Sequence, residues 1–372
     1  MASRQTKSFH ARREIDCERK IAELREELPV SVGDYIRSLE THTTPLTRLG
    51  YIRDLRLFFR FLHAELPAFG DLAIVSVAPA DLERLTLRDL EIYQSYLKQY
   101  VPLPEDEDSE EPTLVRNREH GLARKLSALR GYFRYLYKHG LISQNISEKL
   151  DMPKMRKKPV IYLEKDEIAR MIEAVNSREG LSPRQQVYLE HSRARDLAII
   201  CLLVGTGIRA SELVGMDLRD VHLGRQEFVV TRKGGAVDTL RFNAQVRDAL
   251  AAYLALRQTQ QPRPGHENAL FLSTQMKRLS VRALQDLVKK YAQLGAPLKE
   301  HLSPHKLRST FGTNLYLASG DINLVADILG HSSVNTTKAH YVGNRESRKA
   351  QAADLVDWVE EALPEEDPEL SD

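Results

Sequence analysis

Helical periodicity limits the fold of this chain more than any other feature. From residue 30 to residue 136, apolar side chains recur at intervals of three and four residues, which is the spacing of a buried helix face. Leu49, Ile52, Leu55 and Phe59 form the clearest run, and Pro67 lies just beyond it. The pattern predicts a compact all-helical domain over residues 30–151.

The pattern changes between Glu227 and Phe242. A β-branched and aromatic run at Phe228 predicts a strand, a glycine-rich turn follows at 233–235, and a second strand returns from Val237. Helical spacing resumes on both sides of this hairpin. The fold class is therefore predicted to be mainly α with a small antiparallel β-sheet.

The charge of the chain is unevenly distributed. The formal net charge is only +2, but residues 116–158 hold twelve lysines and arginines against three acidic residues. The acidic segment 105–111 offsets this basic region in the total. The last long helix of the first domain is either an ordinary solvated surface or a phosphate-binding one, and the scarcity of interleaved acids favours phosphate contacts. The predicted contacts are Arg124, Lys125, Arg130 and Arg134.

A proline-bounded basic segment over residues 152–162 predicts a linker between two domains. Four of its side chains would follow a DNA backbone, namely Lys154, Arg156, Lys157 and Lys158. Residues 1–29 predict an N-terminal extension, a loose helix too polar to pack strongly. It is either solvated or an arm that contacts DNA or a partner.

Several classes of protein are excluded by composition. The two cysteines, Cys17 and Cys201, form no disulfide framework or zinc spacing, and Cys201 is predicted to be a small buried hydrophobe. The N-terminus has no secretory pattern, and no apolar run is long enough to span a membrane. We therefore expect a cytoplasmic protein without a metal site.

Residues 303–341 carry side chains that a packed core does not require. His305 and Arg308 share one predicted helix turn, His331 follows a helix stop, and Tyr341 comes ten residues later. Arg209 follows a glycine turn at a helix start, where backbone N–H groups also favour an anion. Each residue alone is more often a surface or structural residue, but the set suits chemistry on a phosphate. Arginine forks bind two phosphate oxygens at once.

The order of five short motifs makes the pattern specific. The motifs are Thr206-Gly207-Ile208-Arg209-Ala210-Ser211-Glu212-Leu213, Arg232-Lys233-Gly234-Gly235, His305-Lys306-Leu307-Arg308, Leu329-Gly330-His331-Ser332-Ser333 and Tyr341. With these motifs the second domain resembles the tyrosine recombinase (phage integrase) family, and residues 30–345 resemble its Xer-like members. The resemblance implies a helical core-binding (SAM-like) domain over 30–151 and an α+β catalytic domain over 163–345.

The resemblance also implies a role for each matched residue. Tyr341 would attack the scissile phosphate and form a 3′-phosphotyrosyl link, and Lys233 would protonate the leaving 5′-oxygen. Arg209 and Arg308 would hold the non-bridging oxygens. His305 would assist proton transfer at the tyrosine, and His331 would form a hydrogen bond with the phosphate. Glu212 would support a neighbouring catalytic side chain.

The resemblance extends to cofactors and partners. It implies no cofactor, double-stranded DNA as the partner, and a homotetramer, or a heterotetramer with a paralogue, acting on two sites through a Holliday junction. A helix within residues 346–372 would dock on a neighbouring subunit or pack on its own domain.

One spacing departs from the commonest family pattern. There the tyrosine is the ninth residue after the glycine-linked histidine, whereas here the ninth residue is His340 and the tenth is Tyr341. One residue turns a helix by about 100°, so the segment must be looped or its helix must begin later. Tyr341 remains the predicted nucleophile.

Three functions remain open from the residues. The first is a site-specific recombinase, for chromosome or plasmid dimer resolution or for integration and excision of a mobile element. The second is a type IB topoisomerase that nicks and reseals one duplex. The third is a non-catalytic DNA-binding regulator on the same fold.

Overall fold

The computed structural model describes residues 9–101, 114–155, 161–177, 183–232, 235–299 and 301–330. The chain divides into two compact units, Met1–Lys157 and Lys158–Asp372. The division falls inside the predicted linker, although Arg156, Lys157 and Lys158 themselves lie outside the described residues. The acidic segment 105–111 and the predicted tail helix in 346–372 also lie outside them.

The first unit is helical, as its periodicity predicts. Its described α-helices are α1 Phe9–Glu26, α2 Val30–Ser38, α3 Pro45–Glu65, α4 Pro67–Gly70, α5 Pro79–Leu82, α6 Leu87–Tyr96 and α7 Glu119–Lys138. Two short strands, β1 Gln99–Tyr100 and β2 Val115–Arg116, pair antiparallel. The helix α6 ends at Tyr96, and Gln99 and Tyr100 pair with β2 instead of extending it.

Aromatic packing between α3 and α7 forms the core of this unit. Phe58, Phe59, Tyr132 and Phe133 are each at most 1% exposed. Their rings meet edge to face with centroids 5.5 to 6.1 Å apart, a favourable geometry for aromatic pairs. The α3 helix starts at Pro45, where the Thr44 side chain accepts the backbone N–H of the third helical residue.

The N-terminal helix α1 belongs to this core, so the prediction of a loose helix was wrong. Cys17 and Ile21 are 7% and 4% exposed and join the hydrophobic cluster. Glu18 accepts a 2.5 Å hydrogen bond from Arg48 of α3, whose side chain is 6% exposed. Few apolar residues are enough to bury one side of α1, because those it has are four positions apart and lie on the same face of the helix.

The basic helix α7 does not present all its cations to solvent. Lys125 is 8% exposed, and its ammonium donates to the Asn117 side chain at 3.2 Å. Arg124 is half exposed and donates to the buried carboxylate of Asp54. Burial of Lys125 beside this carboxylate gives it a structural role, so its predicted phosphate contact is not supported. Arg134 is exposed and Arg130 is partly exposed.

Replacing Asp54 by asparagine is expected to make the stability of the first unit less sensitive to pH. Burial raises the pKa of Asp54 above its ordinary value of 3.8, even though Arg124 and Lys125 lower it. Because folding makes this carboxyl harder to ionise, the wild type loses stability as pH rises through the folded pKa. An asparagine side chain does not ionise, so the variant has no such loss of stability, and the amide oxygen can still accept a hydrogen bond from Arg124.

Urea unfolding at a series of pH values measures this effect. The free energy of unfolding of Asp54→Asn, relative to wild type, should rise as pH increases through and above 3.8. A relative stability that falls over that range would contradict the assigned burial effect. Asp71→Asn, which changes an exposed aspartate of the same unit, is the control.

The second unit combines seven described α-helices with one small sheet. The helices are α8 Lys165–Asn176, α9 Pro183–Thr206, α10 Ala210–Gly215, α11 Ala244–Thr259, α12 Val281–Gly295, α13 Pro304–Ser319 and α14 Ile322–Leu329. The sheet has the antiparallel order β3-β4-β5, with β3 Val221–His222, β4 Glu227–Thr231 and β5 Val237–Arg241. The predicted hairpin is confirmed. The two-residue strand β3 was not predicted.

The apolar end of α9 lies at the centre of this unit, against α8, α11 and α13. Ile199, Leu202 and Leu203 are fully buried, and Cys201 is 8% exposed. Burial raises the pKa of the Cys201 thiol to about 11, which fits the predicted buried hydrophobe. None of the helices within the described ranges is both long and apolar enough to cross a membrane.

Candidate active site

A tight turn after α9 begins the site. Gly207 has a φ of +62°, a conformation that side chains with a Cβ rarely adopt. Its carbonyl accepts a hydrogen bond of 2.6 Å from Arg308 Nη1. Just before it, the Thr206 hydroxyl donates to the carbonyl of Leu202 and closes the last turn of α9. The turn thus aims one backbone carbonyl at a catalytic candidate more than 100 residues away.

Arg209 is held by its own helix. It is the residue before α10, and Glu212 of that helix accepts both its backbone N–H at 3.0 Å and its Nη1 at 2.7 Å. The Glu212 carboxylate is 2% exposed, whereas the Arg209 side chain is 30% exposed. The buried carboxylate therefore fixes the guanidinium while leaving part of it at the surface. This contact fits the support role predicted for Glu212.

Arg308 lies in the first turns of α13. That helix begins at Pro304, and the side chain of Ser303 before it makes no capping hydrogen bond. Arg308 is 4% exposed and donates to the carbonyls of Gly207 and Leu329. His305, one turn earlier, is exposed. The two residues share a helix turn as predicted but differ in burial.

The C-terminal end of α14 is where the arginines meet. Three consecutive carbonyls, those of residues 328, 329 and 330, accept from three different arginines. Arg209 Nη2 reaches Gly330 at 2.8 Å, Arg232 Nη2 reaches Ile328 at 3.1 Å, and Arg308 Nη2 reaches Leu329. Helix ends leave such carbonyls unpaired and carry partial negative charge. The arginines satisfy both needs, and Gly330 ends the helix with a φ of +58°.

Charge at this cluster favours an anion. Three guanidinium groups, those of Arg209, Arg232 and Arg308, lie together at this helix end, and Glu212 and Asp238 pair with the first two. Arginine presents planar donors that match the oxygens of a phosphate. The cluster is therefore suited to hold a phosphodiester, with the partly exposed Arg209 nearest to solvent.

The structure brings together some of the predicted site residues and does not describe others. Arg209, Glu212 and Arg308 converge, from positions up to 99 residues apart in the sequence. Lys233, His331 and Tyr341 lie outside the described residues, so their predicted roles remain predictions. In the described part of the chain, no three His, Cys, Asp or Glu side chains group as a metal site would.

Sequence reasoning missed Arg232. It was part of the Arg232-Lys233-Gly234-Gly235 motif, but only Lys233 received a role. In the structure Arg232 is 9% exposed and contacts Glu212, Asp238 and the end of α14. The available signal was the hairpin register: Val230 pairs with Asp238, which places an acidic residue opposite the start of the turn.

Replacing Gly207 by alanine is expected to destabilise the second unit strongly. An added Cβ would lie 2.5 Å from a ring carbon of Phe311 and 2.9 Å from the Leu329 side chain. A left-handed conformation costs about 1–2 kcal/mol, and overpacking adds about 1–3 kcal/mol. The midpoint of denaturant unfolding should fall accordingly.

Gly224→Ala is the matched control for this change. A Cβ added at Gly224 would meet open space, and this glycine has no positive φ, so alanine there should leave the unfolding midpoint unchanged. Equal midpoints for the two variants would contradict the close approach of Gly207 to α13 and α14.

Comparison with known proteins places this chain in a defined family. The family model "Phage integrase family" matches residues 161–348. The protein named tyrosine recombinase XerC from Caldanaerobacter subterraneus subsp. tengcongensis is 33% identical over 319 residues, covering 82% of this chain and 81% of its own. Tyrosine recombinase XerS from Streptococcus agalactiae is 30% identical over 360 residues, covering 89% and 97%. The chain belongs to the phage integrase family.

Solved structures show the same fold. A XerH recombinase bound to a palindromic difH substrate, in a post-cleavage complex, has a TM-score of 0.58 at 19% identity and covers 84% of this chain and 80% of its own. A lambda integrase dimer bound to a COC′ core site has a TM-score of 0.55 at 16% identity, covering 82% and 96%. The predicted class, mainly helical with a small antiparallel sheet and the two-domain architecture of tyrosine recombinases, is confirmed.

Proposed function

We propose that this chain is a site-specific DNA recombinase, which cleaves and rejoins strands through a 3′-phosphotyrosyl intermediate and a Holliday junction. One observation carries the proposal: Arg209 and Arg308 converge from distant parts of the chain on the same helix end. A hydrophobic core does not require two arginines to meet in this way. A phosphate whose negative charge grows in the transition state does require positive donors held in place around it.

The proposed chemistry begins with the tyrosine. The Tyr341 oxygen attacks the scissile phosphorus and loses its proton to His305, and the bond from phosphorus to the 5′-oxygen breaks. Lys233 supplies the proton that the leaving 5′-oxygen takes, which yields a 5′-hydroxyl. Rejoining runs the same steps in reverse with an incoming 5′-hydroxyl. The bond energy stays in the phosphotyrosine, so strand joining needs no separate energy source.

The arginines and His331 act on the phosphate itself. A guanidinium has five N–H donors, and the contacts of Arg209 with Glu212 and Gly330 use only part of its fork. Arg308 is buried, so its charge acts in surroundings of low dielectric constant, where it has a stronger effect than in water. The Glu212 carboxylate contacts the guanidiniums of both Arg209 and Arg232 and offsets the repulsion between them.

The names of the relatives support this proposal. XerC and XerS are both named tyrosine recombinases, and the XerH structure is of a complex with its difH substrate after cleavage. By analogy we propose that this chain binds double-stranded DNA in the cytoplasm. We propose that its active assembly is a tetramer, built either from this chain alone or from this chain and a paralogue. Residues 30–151 would act as the core-binding domain, 152–162 as the linker and 163–345 as the catalytic domain.

The DNA contacts of the first unit remain part of the proposal. The surface of α7 offers Arg124, Arg130 and Arg134 to phosphates, and Lys154 is exposed beyond it. The linker cations Arg156, Lys157 and Lys158 would add further contacts with the DNA backbone. Each contact would add to the salt dependence of DNA binding without selecting a sequence.

Two linked assays test the proposal. Purified protein is incubated with sheared chromosomal DNA from its source, the reaction is stopped with detergent, and DNA attached to protein is sequenced. A plasmid carrying two copies of the recovered site is then compared with a supercoiled plasmid carrying none. Deletion or inversion only between sites supports a recombinase. Relaxation of the plasmid that carries no site would instead indicate a topoisomerase. The absence of any covalent complex would indicate a non-catalytic regulator.

A further inference from the structure

Arg232 has more charged and helix-end contacts than its place in a hairpin requires. It immediately follows β4, and its backbone N–H donates to the Ala236 carbonyl at 2.7 Å across the turn. Its side chain turns inward and is 8% exposed. Turn arginines usually extend into water because burying a guanidinium costs free energy unless it is paired and hydrogen-bonded.

The partners of Arg232 lie on three separate elements. Nε and Nη2 donate to Asp238 of β5 at 3.0 and 2.8 Å. Nη1 lies 3.4 and 3.3 Å from the two carboxylate oxygens of Glu212 in α10. Nη2 also reaches the carbonyl of Ile328 in α14 at 3.1 Å. One side chain therefore joins the hairpin to both elements that hold Arg209.

Close packing reinforces this connection. A Cβ added to Gly330 would lie 3.0 Å from Nε and Cζ of Arg232, so the guanidinium lies against the glycine whose carbonyl accepts from Arg209. The Arg209 guanidinium thus has two anchors, the Glu212 carboxylate and the Gly330 carbonyl, and Arg232 contacts both residues. A shift of Arg232 would move both anchors together.

We propose that Arg232 is a positioning residue for the cleavage reaction. It holds Glu212 and the end of α14 in the places that direct the Arg209 guanidinium at the scissile phosphate. The inference rests on the proposed recombinase function and deepens it, since it adds a residue to the phosphate-holding apparatus. Arg232 itself need not touch DNA.

The test measures cleavage apart from binding. Arg232→Gln and Arg232→Lys are compared with wild type on a nicked duplex carrying the site recovered by covalent capture. Misplacement of a catalytic group by about 1 Å costs about 10²-fold in rate, so Arg232→Gln should slow single-turnover cleavage by about that factor. DNA affinity, measured by fluorescence anisotropy, should change less than about 3-fold, because an interaction made only in the transition state changes the rate and not the binding. Lysine keeps the charge but not the planar fork, so the loss for Arg232→Lys should be intermediate.

A modified substrate separates positioning from general damage. With a methylphosphonate at the scissile position, one charged oxygen is replaced by a neutral methyl group, so the reaction depends less on the Arg209 charge. The ratio of wild-type to Arg232→Gln cleavage rates should then shrink toward one. A ratio that is equally large on both substrates would overturn the proposal, because the defect would not act through the arginine clamp.

Two further comparisons make every outcome informative. Arg225→Gln changes an arginine that is 79% exposed just before β4, and it should leave cleavage unchanged. If thermal unfolding shows that Arg232→Gln does not fold, Arg232→Lys takes its place in the comparison of the two substrates. Wild-type cleavage rates in both Arg232 variants would overturn the inference alone. Failure of the wild type to cleave any captured site would overturn the recombinase proposal instead.

Discussion

Replacing Arg308 by alanine is expected to reduce DNA cleavage by ~10²–10³-fold, the cost of losing one preorganised donor to transition-state charge. Arg308 is 4% exposed and joins the turn after α9 to the end of α14 through the carbonyls of Gly207 and Leu329. Its removal also leaves these carbonyls without that donor, at a cost of about 1–3 kcal/mol in stability. Single-turnover cleavage and thermal unfolding measure the two effects separately.

Arg308→Lys and Arg282→Gln complete this experiment. Lysine keeps the positive charge, but one ammonium cannot reproduce a planar fork that reaches two carbonyls, so Arg308→Lys should remain strongly impaired. Arg282 lies on α12 with its side chain 82% exposed, and its replacement should change neither rate nor stability. Cleavage by Arg308→Lys at the wild-type rate would show that the arginine geometry of this site is not required.

Replacing Tyr341 by phenylalanine is expected to abolish covalent attachment to DNA. Phenylalanine lacks the hydroxyl that attacks phosphorus, and nothing else at this position can form the phosphotyrosyl bond. The variant should bind DNA with unchanged affinity, because the arginines proposed to hold the phosphate remain. Covalent complexes are counted on denaturing gels after capture on a nicked duplex.

The unusual spacing before Tyr341 gives this experiment its control. His340 is the residue that falls ninth after His331, where the family pattern places the nucleophile. His340→Ala should retain covalent attachment, whereas Tyr341→Phe should lose it. The reverse pattern, or full cleavage by Tyr341→Phe, would exclude Tyr341 as the nucleophile.

Local rules predicted those parts of the fold that depend on neighbouring residues. The strands around Gly235 were visible as two β-forming runs with a glycine turn, and the end of α14 at Gly330 followed from the preference for glycine after a helix. The burial of Cys201 followed from its apolar run. Each of these features is decided within a few residues.

Features that depend on distant residues were mispredicted or missed. The burial of α1 depends on α3, and the burial of Lys125 depends on Asp54 and Asn117. The strand β1, just after α6, depends on its pairing with β2. Charge counting treats every cation as exposed, so it could not distinguish Lys125 from Arg134.

The same limit applies to the site. A match of motifs selected Arg209, Arg308 and Glu212 as candidates, because each occupies a recognisable position along the chain. It gave Arg232 no role, since nothing adjacent in sequence shows that its side chain turns inward. Only the meeting of β5, α10 and α14 around it reveals what it contacts.

Identifying the residue that becomes joined to DNA tests the proposed recombinase chemistry most directly. The covalent complex is captured on a nicked duplex, digested with nuclease and protease, and the nucleotide-bearing peptide is sequenced by mass spectrometry. We predict a 3′-phosphate ester on Tyr341 that survives acid treatment. An adduct on any other residue would contradict that chemistry, including an adduct on His340, whose phosphoramidate bond acid would break.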